Sequence, residues 1–408
     1  MMQPNDRPLA SVRVLELAQI MAGPICGLML ADMGADVIKI EKFPGGDDSR
    51  GYARPGQPAI PPSFMMINRG KRSVAVDIRQ PAGRDVIKRL AASCDIVTEN
   101  YRRGKMDALG LGYEDLRAGN PQLVYCSISG YGPNGPLSDK GGFDLVLQAF
   151  AGLISVTGSS DGELAKPGSS IADINAGILA ALGCMTAYVK RLRTGVGGRV
   201  ETSLLQASLQ QMYWFAAGYF FNGDVARPMG TAHPLIAPYQ VFKCKDGAIA
   251  IGGANQSNWT RITEVLGHPE WSQDARFGDA RSRVVNRPAL EQLITAALTA
   301  HPTAFWVEQF DLAGVPAGPV QNVGEALEHE QSKATSMVIE VDRPDGGTTR
   351  SLGLPLHFDG ESPHARSAAP YVGQHSTEVL SEFGFTDNEI DALYEQNVIS
   401  QPKDNPTT

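Results

Sequence analysis

The chain has 408 residues, which is too long for a single hydrophobic core, and we therefore expect two domains. Its net charge of −8, from 36 basic and 44 acidic residues, argues against a general nucleic-acid binder. The five cysteines and seven histidines are scattered, which argues against a disulfide framework and a metal site. The sequence shows neither a signal-peptide core nor a run of 18 apolar residues, so we expect a cytoplasmic protein that contacts no membrane.

The first 130 residues alternate between strand-like and helix-like patterns. Short apolar runs of strand length occur at residues 12–17, 37–40, 74–78, 96–98 and 123–128. Helical spacing of apolar residues lies between them, at residues 25–32, 83–92 and 113–118. Because strands that alternate with helices form parallel sheets through right-handed crossovers, we predict an α/β fold with a doubly wound parallel sheet.

After residue 130 the pattern first turns helical and then changes twice. Helices are predicted at residues 143–151, 173–193 and 204–221, with a short strand at 200–203. A Pro- and Gly-rich stretch at 227–238 precedes a predicted hairpin at 239–251, and helices then continue to residue 327. The chain closes with strands at 336–341 and 348–352 and helices at 375–383 and 387–396. We therefore expect a large α/β domain at 1–225, a smaller α+β domain at 226–329, and a return to the large domain at 330–408.

Two familiar nucleotide-binding motifs are missing where the pattern invites them. The loop after the first strand reads AQIMAGPICG and lacks the glycines of G-x-G-x-x-G, which disfavours a nicotinamide dehydrogenase. The pair Gly70 and Lys71 is followed by Arg72 rather than by Ser or Thr, so this stretch is not a P-loop.

Basic residues are concentrated between Arg69 and Lys105, where ten of them face only four acids. The stretch opens with NRGKRS and closes with NYRRGK, both beside predicted strand ends, where α/β sheets bind ligands. A solvated helix face explains the charges in the middle, such as Arg84 and Lys88. For the two end clusters, phosphate binding and simple solvation are equally open interpretations.

Asp173 has the most informative surroundings of any acidic residue. It lies in SSIADINAG at the start of the long apolar helix, after the loop Gly168–Ser170 and an apolar pair. Gly141–Asp144 opens another predicted helix upstream, and Gly252–Gly253 follows a predicted strand of the smaller domain. A helix N-cap is the structural interpretation of an Asp at this place, and a catalytic carboxylate is the functional one.

With these segments together, the chain resembles the class III CoA-transferases, the family of formyl-CoA and carnitine CoA-transferases. The resemblance covers about residues 9–399. The matching segments are LASVRVLELAQIMAGPICGLMLADMGADVIKIEK, NRGKRSVAVDI, DIVTENYRRGKMDALGLGYEDL, NPQLVYCSISGYGPNGP, GGFDLVLQAFAGLISVTG, IADINAGILAALG and AGVPAGPV.

The resemblance implies a mechanism in which Asp173 is the nucleophile. Its carboxylate attacks an acyl-CoA thioester and forms an acyl-aspartyl anhydride, which CoA thiolate converts to an aspartyl-CoA thioester and a free acid. A second carboxylic acid then runs the steps in reverse and leaves as its CoA ester. An Asp with an ordinary pKa of about 3.9 is ionised at neutral pH, so we expect the nucleophile to need no general base.

The resemblance also implies which residues bind coenzyme A (CoA) and the acyl group. The implied CoA-binding residues are Met21, Ala22, Lys42, Ile67, Asn68, Arg69, Lys71, Asn100, Tyr101, Arg102, Gly142 and Phe143. The implied acyl-site residues are Gly252, Gly253 and His233, although a structural role for the histidine is equally open. Ala108 stands where relatives often carry a basic residue, and Gly141 stands where formyl-CoA transferases can carry Lys, although Lys140 is adjacent. These departures leave the individual phosphate contacts open.

The remaining implications concern partners and alternatives. We expect a homodimer of interlocked rings, an acyl-CoA donor, a small carboxylic acid acceptor with a lean toward dicarboxylates, and no metal. The α-methylacyl-CoA racemases share this fold but move a proton with a His–Asp pair, and Phe143 stands at the position of that histidine. An intramolecular CoA transfer within one diacid stays open, and the intact Asp173 argues against a non-catalytic CoA-binding paralogue.

Overall fold

The computed structural model describes residues 6–52, 60–253, 255–343, 346–364 and 367–400. The chain forms two compact units. The first unit comprises Met1–Leu153, Pro167–Ala217 and Glu330–Thr408, and the second comprises Ile154–Lys166 and Gly218–His329. Residues 154–166 and 218–225 therefore belong to the second unit, whereas the sequence analysis assigned them to the large domain. One reason is a backbone contact within that unit, in which the Gly230 N–H donates to the Gly158 carbonyl at 2.8 Å.

The first unit is built on a six-stranded parallel sheet. Its strands are β1 (Arg13–Leu17), β2 (Asp36–Lys42), β3 (Lys71–Val76), β4 (Ile96–Glu99), β5 (Val124–Ser129) and β6 (Gly198–Ser203). Their order across the sheet is β3-β2-β1-β4-β5-β6. The order reverses between β1 and β4, and at such a switch point the loops leaving the carboxyl ends of the strands open a crevice for ligands.

Helices cover both faces of this sheet. The helices of this part of the chain are α1 (Ala22–Asp32), α2 (Pro62–Asn68), α3 (Pro81–Ala92), α4 (Lys105–Ala108), α5 (Tyr113–Gly119), α6 (Asp144–Phe150), α7 (Ile171–Thr194), α8 (Leu204–Gln210) and α9 (Tyr213–Asn222). Successive strand residues alternate between the two faces. Val14 belongs to a core with Leu30 of α1, whereas Leu15 belongs to a core with Leu90 of α3. The predicted doubly wound α/β fold is confirmed.

The described part of the second unit contains a three-stranded antiparallel sheet, several helices and the end of α9, from Gly218 to Asn222. Its strands are β7 (Tyr239–Lys243), β8 (Ala248–Gly252) and β9 (Ala317–Pro319), and β7 and β8 form the predicted hairpin. Its helices are α10 (Gln256–Val265), α11 (Ala280–Val285), α12 (Arg287–Leu298), α13 (Thr303–Leu312) and α14 (Val323–Glu328). The large side chains of Trp259, Phe277 and Phe310 are fully buried and form the core of this unit together with Ile294.

The final segment returns to the first unit. Its elements are α15 (Glu330–Ala334), β10 (Val338–Asp342), β11 (Thr348–Leu352), α16 (Ser376–Glu382) and α17 (Asp387–Glu395). Strands β10 and β11 pair antiparallel. Leu380 of α16 and Ile390 of α17 join the core that contains Leu15 and Leu90, so the C-terminal helices help to cover that face of the sheet.

Helix α7 alone is long and apolar enough to cross a membrane by length and composition, within the part of the chain that the structure describes. Its small residues Ala176, Ala180 and Cys184 are nevertheless buried in the core that contains Val14. This is the packing expected of a layer helix beside a parallel sheet.

Three details differ from the predicted elements. The expected helix at 204–221 is two helices, α8 and α9, which are separated at residues 211–212. Helix α7 begins at Ile171 rather than at Asp173, and α6 begins at Asp144 with Phe143 as its N-cap. The short elements α2, α4 and β9 were not predicted, because they are too short to show a clear hydrophobic period.

Candidate active site

A cavity of about 480 Å³ lies at the carboxyl edge of the parallel sheet, at the switch point between β1 and β4. The loops after these two strands are joined there by one side chain. The Gln19 N–H donates to Asn100 Oδ1 at 2.9 Å, and Asn100 Nδ2 donates to the Gln19 carbonyl at 2.8 Å. The predicted site residues that line this cavity are Met21, Ala22, Asn100, Tyr101, Arg102, Gly142, Phe143 and Asp173.

Asp173 is the third residue of α7, and its carboxylate does not cap the helix. The N-cap is Ser170, whose side chain makes no capping bond. Asp144, from the start of α6, instead accepts hydrogen bonds from the N–H groups of Ala172 at 3.0 Å and Asp173 at 3.4 Å. The structural interpretation of Asp173 as an N-cap is therefore wrong, because another residue satisfies the free amides of this helix end.

The electrostatic environment of Asp173 opposes its ionisation. Burial raises the pKa of the Asp173 carboxyl to about 7, and the neighbouring charge of Asp144 adds to this effect. Among the described residues, no group donates a hydrogen bond to the Asp173 carboxylate. The expectation that this carboxyl is fully ionised at neutral pH is therefore wrong, because a group with a pKa of about 7 is half protonated at pH 7.

Asp144 is itself held by a buried glutamine. Gln148 lies one turn further along α6, is fully buried, and donates from Nε2 to Asp144 Oδ2 at 2.6 Å. The sequence analysis noted the segment Gly141–Asp144 but missed this hydrogen-bonding role of Asp144 and Gln148. The available signal was an acidic residue and an amide at i, i+4 spacing at the start of a predicted helix.

Two close approaches of the backbone shape the cavity. A Cβ atom on Gly177, one turn after Asp173, would lie 2.6 Å from the Ala22 carbonyl oxygen, so the start of α1 can approach α7 only because this residue is glycine. In the same way, a Cβ atom on Gly130 would lie 3.0 Å from the Gly142 nitrogen. These glycines let Ala22, Gly142 and Asp173 line one cavity.

Four basic side chains line the cavity with Asp173. They are Arg102, Arg103, Lys105 and Lys140. Arg103 contacts Ser138 Oγ at 2.8 Å and Asp139 at 3.4 Å, whereas no carboxylate of the described residues lies within ion-pair distance of Arg102. Lys140, Arg103 and Lys105 were absent from the set of implied CoA-binding residues, although Lys105 and Arg103 belong to the NYRRGK cluster.

Two of the implied CoA-binding cations lie elsewhere. Lys71 is fully buried, where its Nζ atom lies 2.8 Å from Glu16 and also donates to the Pro24 carbonyl at 2.9 Å. Arg69 is buried against Asp32. Burial lowers the pKa of Lys71 to about 8, while the charge of Glu16 opposes that change. These side chains are not accessible to a phosphate, which corrects their implied role.

Three more implied CoA-binding residues are not among those that line the cavity. Lys42 is exposed and paired with Asp48. Ile67 and Asn68 lie at the end of α2, and Asn68 is fully buried with its Oδ1 atom accepting from Lys71 at 3.0 Å.

The implied acyl-site residues lie in the second unit. The His233 ring packs edge-on against Tyr239, and its Nδ1 atom accepts from the Leu235 N–H at 3.1 Å. Gly252 ends β8, and the Gly253 N–H donates to the Pro238 carbonyl at 2.9 Å. The role of His233, Gly252 and Gly253 in acyl binding stays a prediction.

The sequence profile described as CoA-transferase family III matches residues 9–376. The chain belongs to this family. It is 35% identical over 396 residues to the succinyl-CoA:glutarate CoA-transferase of Mus musculus, covering 97% of this chain and 91% of that protein. It is 34% identical over 400 residues to the succinyl-CoA–D-citramalate CoA-transferase of Chloroflexus aurantiacus, covering 97% and 99%. The crystal structure of a CAIB/BAIF family protein from Brucella suis has a TM-score of 0.82 and 36% identity, covering 92% of this chain and 99% of that one.

Family membership confirms the resemblance found in the sequence. The chain is a class III CoA-transferase, and the relatives named above use CoA thioesters.

Proposed function

We propose that this enzyme moves CoA from an acyl-CoA thioester to a carboxylic acid through covalent intermediates on Asp173. One observation carries the proposal. The Asp173 carboxylate lines a cavity whose wall also carries Arg102, Arg103, Lys105 and Lys140, and no described residue uses that carboxylate for a structural hydrogen bond. A nucleophile must keep its lone pairs free, and a polyanionic carrier needs cations nearby.

The chemistry needs four substitutions at carbonyl carbons. A carboxylate oxygen of Asp173 attacks the thioester carbon, the C–S bond breaks, and an acyl-aspartyl anhydride and CoA thiolate result. The thiolate attacks Cγ of Asp173 and expels the acyl group as a free carboxylate, which leaves an aspartyl-CoA thioester. The acceptor carboxylate attacks Cγ and releases the thiolate, which then attacks the acceptor carbonyl and frees Asp173. No proton is gained or lost overall.

The raised pKa of Asp173 fits a nucleophile in a dry site. Burial removes water from around the carboxylate, which raises its pKa to about 7 and leaves the ionised form weakly solvated. The charge of Asp144 acts in the same direction. Near neutral pH, the nucleophile is therefore the ionised fraction of Asp173.

We propose that the basic residues of the cavity bind the phosphate groups of CoA. Arg102, Arg103, Lys105 and Lys140 lie on its wall, whereas Arg69 and Lys71 are occupied by buried acids. A charge-assisted bond from a guanidinium or ammonium group to a phosphate contributes roughly 1.5–3 kcal/mol. Four such groups suit a ligand that carries several phosphate charges.

The acceptor acid is proposed to be a small dicarboxylate. The names of two relatives at 34–35% identity couple succinyl-CoA to glutarate and to D-citramalate, both of which are dicarboxylates. We propose succinyl-CoA as the donor for the same reason. The acceptor screen described below distinguishes transfer between two acids, which forms the CoA ester of an added acid, from transfer between two carboxyls of one diacid, which does not.

We further propose a homodimer, with interlocked rings as the family resemblance implies, located in the cytoplasm. Support for a partner comes from α9, whose aromatic side chains are exposed. Trp214, Phe220 and Phe221 are 68%, 77% and 86% exposed, respectively. Large exposed aromatic patches are typical of protein interfaces.

Proton abstraction of the racemase kind has no support in this cavity. Phe143 is 69% exposed and lines the cavity at the start of α6, and a phenyl ring cannot accept a proton. An isomerase of that kind would therefore need a different base.

Trapping the covalent intermediate tests the proposal. The wild-type enzyme is mixed with succinyl-CoA and hydroxylamine, digested, and analysed by mass spectrometry, and the acceptor acids are screened in parallel as a panel. We expect a hydroxamate on Asp173 and none on Asp144, because only Asp173 attacks the thioester. Asp173→Ala and Asp173→Asn should abolish transfer while CoA binding persists. Transfer at wild-type rate in either variant, or a hydroxamate on another carboxyl group, would overturn the assignment.

A further inference from the structure

The loop between β1 and α1 holds one residue in a strained conformation. Ile20 has a φ angle of 67°, in the left-handed region. A β-branched side chain is rarely found there, since its Cβ atom crowds the backbone, and such a residue persists only when its surroundings hold it. Met21 and Ala22, which line the cavity with Asp173, follow directly in the chain.

Three side chains from other parts of the first unit hold this loop, and each of them bonds the backbone of a different loop residue. Lys39 Nζ donates to the Ala18 carbonyl at 2.8 Å. Asn100 makes the two bonds to Gln19 described above. The Ile20 N–H donates to the carboxylate of Asp47, with its nitrogen 3.1 Å from Oδ1 and 3.2 Å from Oδ2.

Asp47 is itself fixed by a buried network. Its Oδ2 atom lies 2.9 Å from Lys39 Nζ, and Lys39 also lies 3.0 Å from Glu16. The Oδ1 atom accepts from the backbone N–H and the hydroxyl of Ser49, at 2.9 and 2.7 Å. These side chains are buried, so the acceptor that faces Ile20 has little freedom to move. Asp47 is not among the residues that line the cavity.

We propose that Asp47 is a positioning residue for CoA transfer, because its bond to the Ile20 N–H keeps the strained loop in place and holds the Met21–Ala22 backbone in the cavity opposite Asp173. This inference rests on the function proposed above. Without the acceptor, Ile20 relaxes out of the left-handed region, and the next two residues move with it. Asp47 acts only through that loop and touches no reacting atom.

A double-mutant cycle separates this role from a general effect on stability. Glycine adopts a positive φ about as readily as a negative one, so Ile20→Gly removes the strain that Asp47 opposes. We expect Asp47→Ala to lower kcat/KM at least about tenfold in the wild-type background and less than about threefold in the Ile20→Gly background. Asp47→Asn keeps an acceptor oxygen and should fall between the wild type and the alanine variant. Equal losses in both backgrounds would overturn the proposal.

Asp95 offers a matched control, because it directly precedes β4 and therefore lies at the amino ends of the strands, away from the cavity. Like Asp47, it accepts from the backbone and pairs with a cation: the Arg13 N–H donates to it at 2.8 Å, and Arg191 lies 2.7 Å away. Asp95→Ala should lower thermal stability, change kcat/KM less than about twofold, and show no coupling to Ile20→Gly. The same coupling at Asp95 and at Asp47 would mean that Ile20→Gly compensates for any lost ion pair.

Hydrogen exchange distinguishes failure of this inference from failure of the proposed function. If the wild-type enzyme transfers no CoA to any acid, the proposed function fails, and the loop is then tested by amide exchange of residues 19–22. We expect at least about tenfold faster exchange of this segment in Asp47→Ala. If that variant does not fold, Asp47→Asn takes its place and should exchange faster than the wild type. Exchange as slow as in the wild type would overturn the positioning role whatever the activity.

Discussion

The ionisation of Asp173 predicts how the transfer rate depends on pH. The pKa of this carboxyl is raised to about 7, first by burial and then by the charge of Asp144. Since only the carboxylate is a nucleophile, the transfer rate at low substrate concentration should rise with pH, tenfold per unit below about pH 7, and level off above it. Stopped-flow or steady-state rates between about pH 5 and 9 measure this profile.

Asp144→Asn tests the cause of that shift. The variant removes the negative charge but keeps an oxygen that can accept from the Ala172 N–H. The midpoint of the pH profile should move to lower pH, because the like charge that opposes ionisation of Asp173 is gone. A Gln148→Glu variant serves as the opposite case, since it adds a carboxyl beside Asp144 and should not lower the midpoint. A midpoint that stays in place in Asp144→Asn would mean that burial alone sets the pKa of Asp173.

The cations of the cavity predict which substitutions weaken CoA binding. Arg102→Ala and Lys140→Ala should each raise the Kd for CoA about tenfold, since each removes a charge-assisted phosphate bond of roughly 1.5–3 kcal/mol. Calorimetry at low and high salt measures both the loss and its reduced salt dependence. Arg117→Ala, an exposed cation paired with Glu114, is the control and should bind CoA as the wild type does. Unchanged affinity in both test variants would contradict the assignment.

The sequence predicted which residues belong to the candidate site better than it predicted whether the fold leaves their side chains accessible or buries them in ion pairs. The resemblance named Asp173, Arg102 and Met21 as site residues, because each sits in a segment that matches the family, and all three line one cavity. It placed Lys71 and Arg69 among the phosphate ligands as well. Their partner acids, Glu16 and Asp32, lie 55 and 37 residues away in the chain, so the linear pattern shows isolated cations where the fold buries ion pairs.

At the scale of elements, the contact between α1 and α7 predicts that Gly177 is needed for activity. A Cβ atom there would lie 2.6 Å from the Ala22 carbonyl oxygen and 2.7 Å from Ile25 Cβ. Gly177→Ala should therefore push the start of α1 away from Asp173 and cost about 1–3 kcal/mol of stability through overpacking. We expect kcat/KM to fall at least about tenfold, measured beside the thermal midpoint.

Gly183 is the matched control on the same helix. A Cβ atom on Gly183 would lie 2.6 Å from a methyl group of Val200, which is a side-chain atom that can move. Gly183→Ala should lower the thermal midpoint modestly and leave kcat/KM within about threefold of the wild type. If both glycine variants lose activity in proportion to their loss of stability, the close approach of α1 to α7 at Gly177 has no separate effect on activity.

Strands β1, β4 and β5 were predictable because they are almost completely buried and read as short apolar runs, whereas the edge strand β6, GRVETS, is partly exposed. The sequence could not show the pairing order that places β1 beside β4, although this order creates the crevice at the site. It also could not show that Asp144 caps α7. Its two hydrogen bonds, from the N–H groups of Ala172 and Asp173, join residues that are 28 and 29 positions apart and depend on how α6 and α7 pack.

At the scale of the whole molecule, the exposed aromatic side chains of α9 predict a stable dimer. Trp214, Phe220 and Phe221 are among the most exposed large apolar residues of the described chain. Covering them with a partner removes apolar surface from water, which stabilises association by roughly 25 cal/mol per Å² of that surface. Sedimentation equilibrium should therefore give a mass twice the 43.6 kDa of one chain.

Substituting the aromatic patch tests whether α9 forms that interface. The triple variant Trp214→Ser, Phe220→Ser and Phe221→Ser should sediment as a monomer or lose dimer at concentrations where the wild type keeps it. Leu312→Ser is the control, because Leu312 is 78% exposed but lies on α13, away from the aromatic residues of α9 in the chain. A wild-type monomer at micromolar concentration would contradict the dimer itself, and a triple variant that stays fully dimeric would place the interface elsewhere.

Subunit exchange then tests the interlocked form of the dimer. Two chains that pass through each other can separate only if one of them unfolds, so exchange should be limited by unfolding and not by dissociation of a surface patch. Donor-labelled and acceptor-labelled dimers, mixed under native conditions, should develop no energy transfer over hours. Mild denaturant at the onset of unfolding should start the exchange. Exchange within minutes in native buffer, at a rate unrelated to unfolding, would show that the two chains meet side by side.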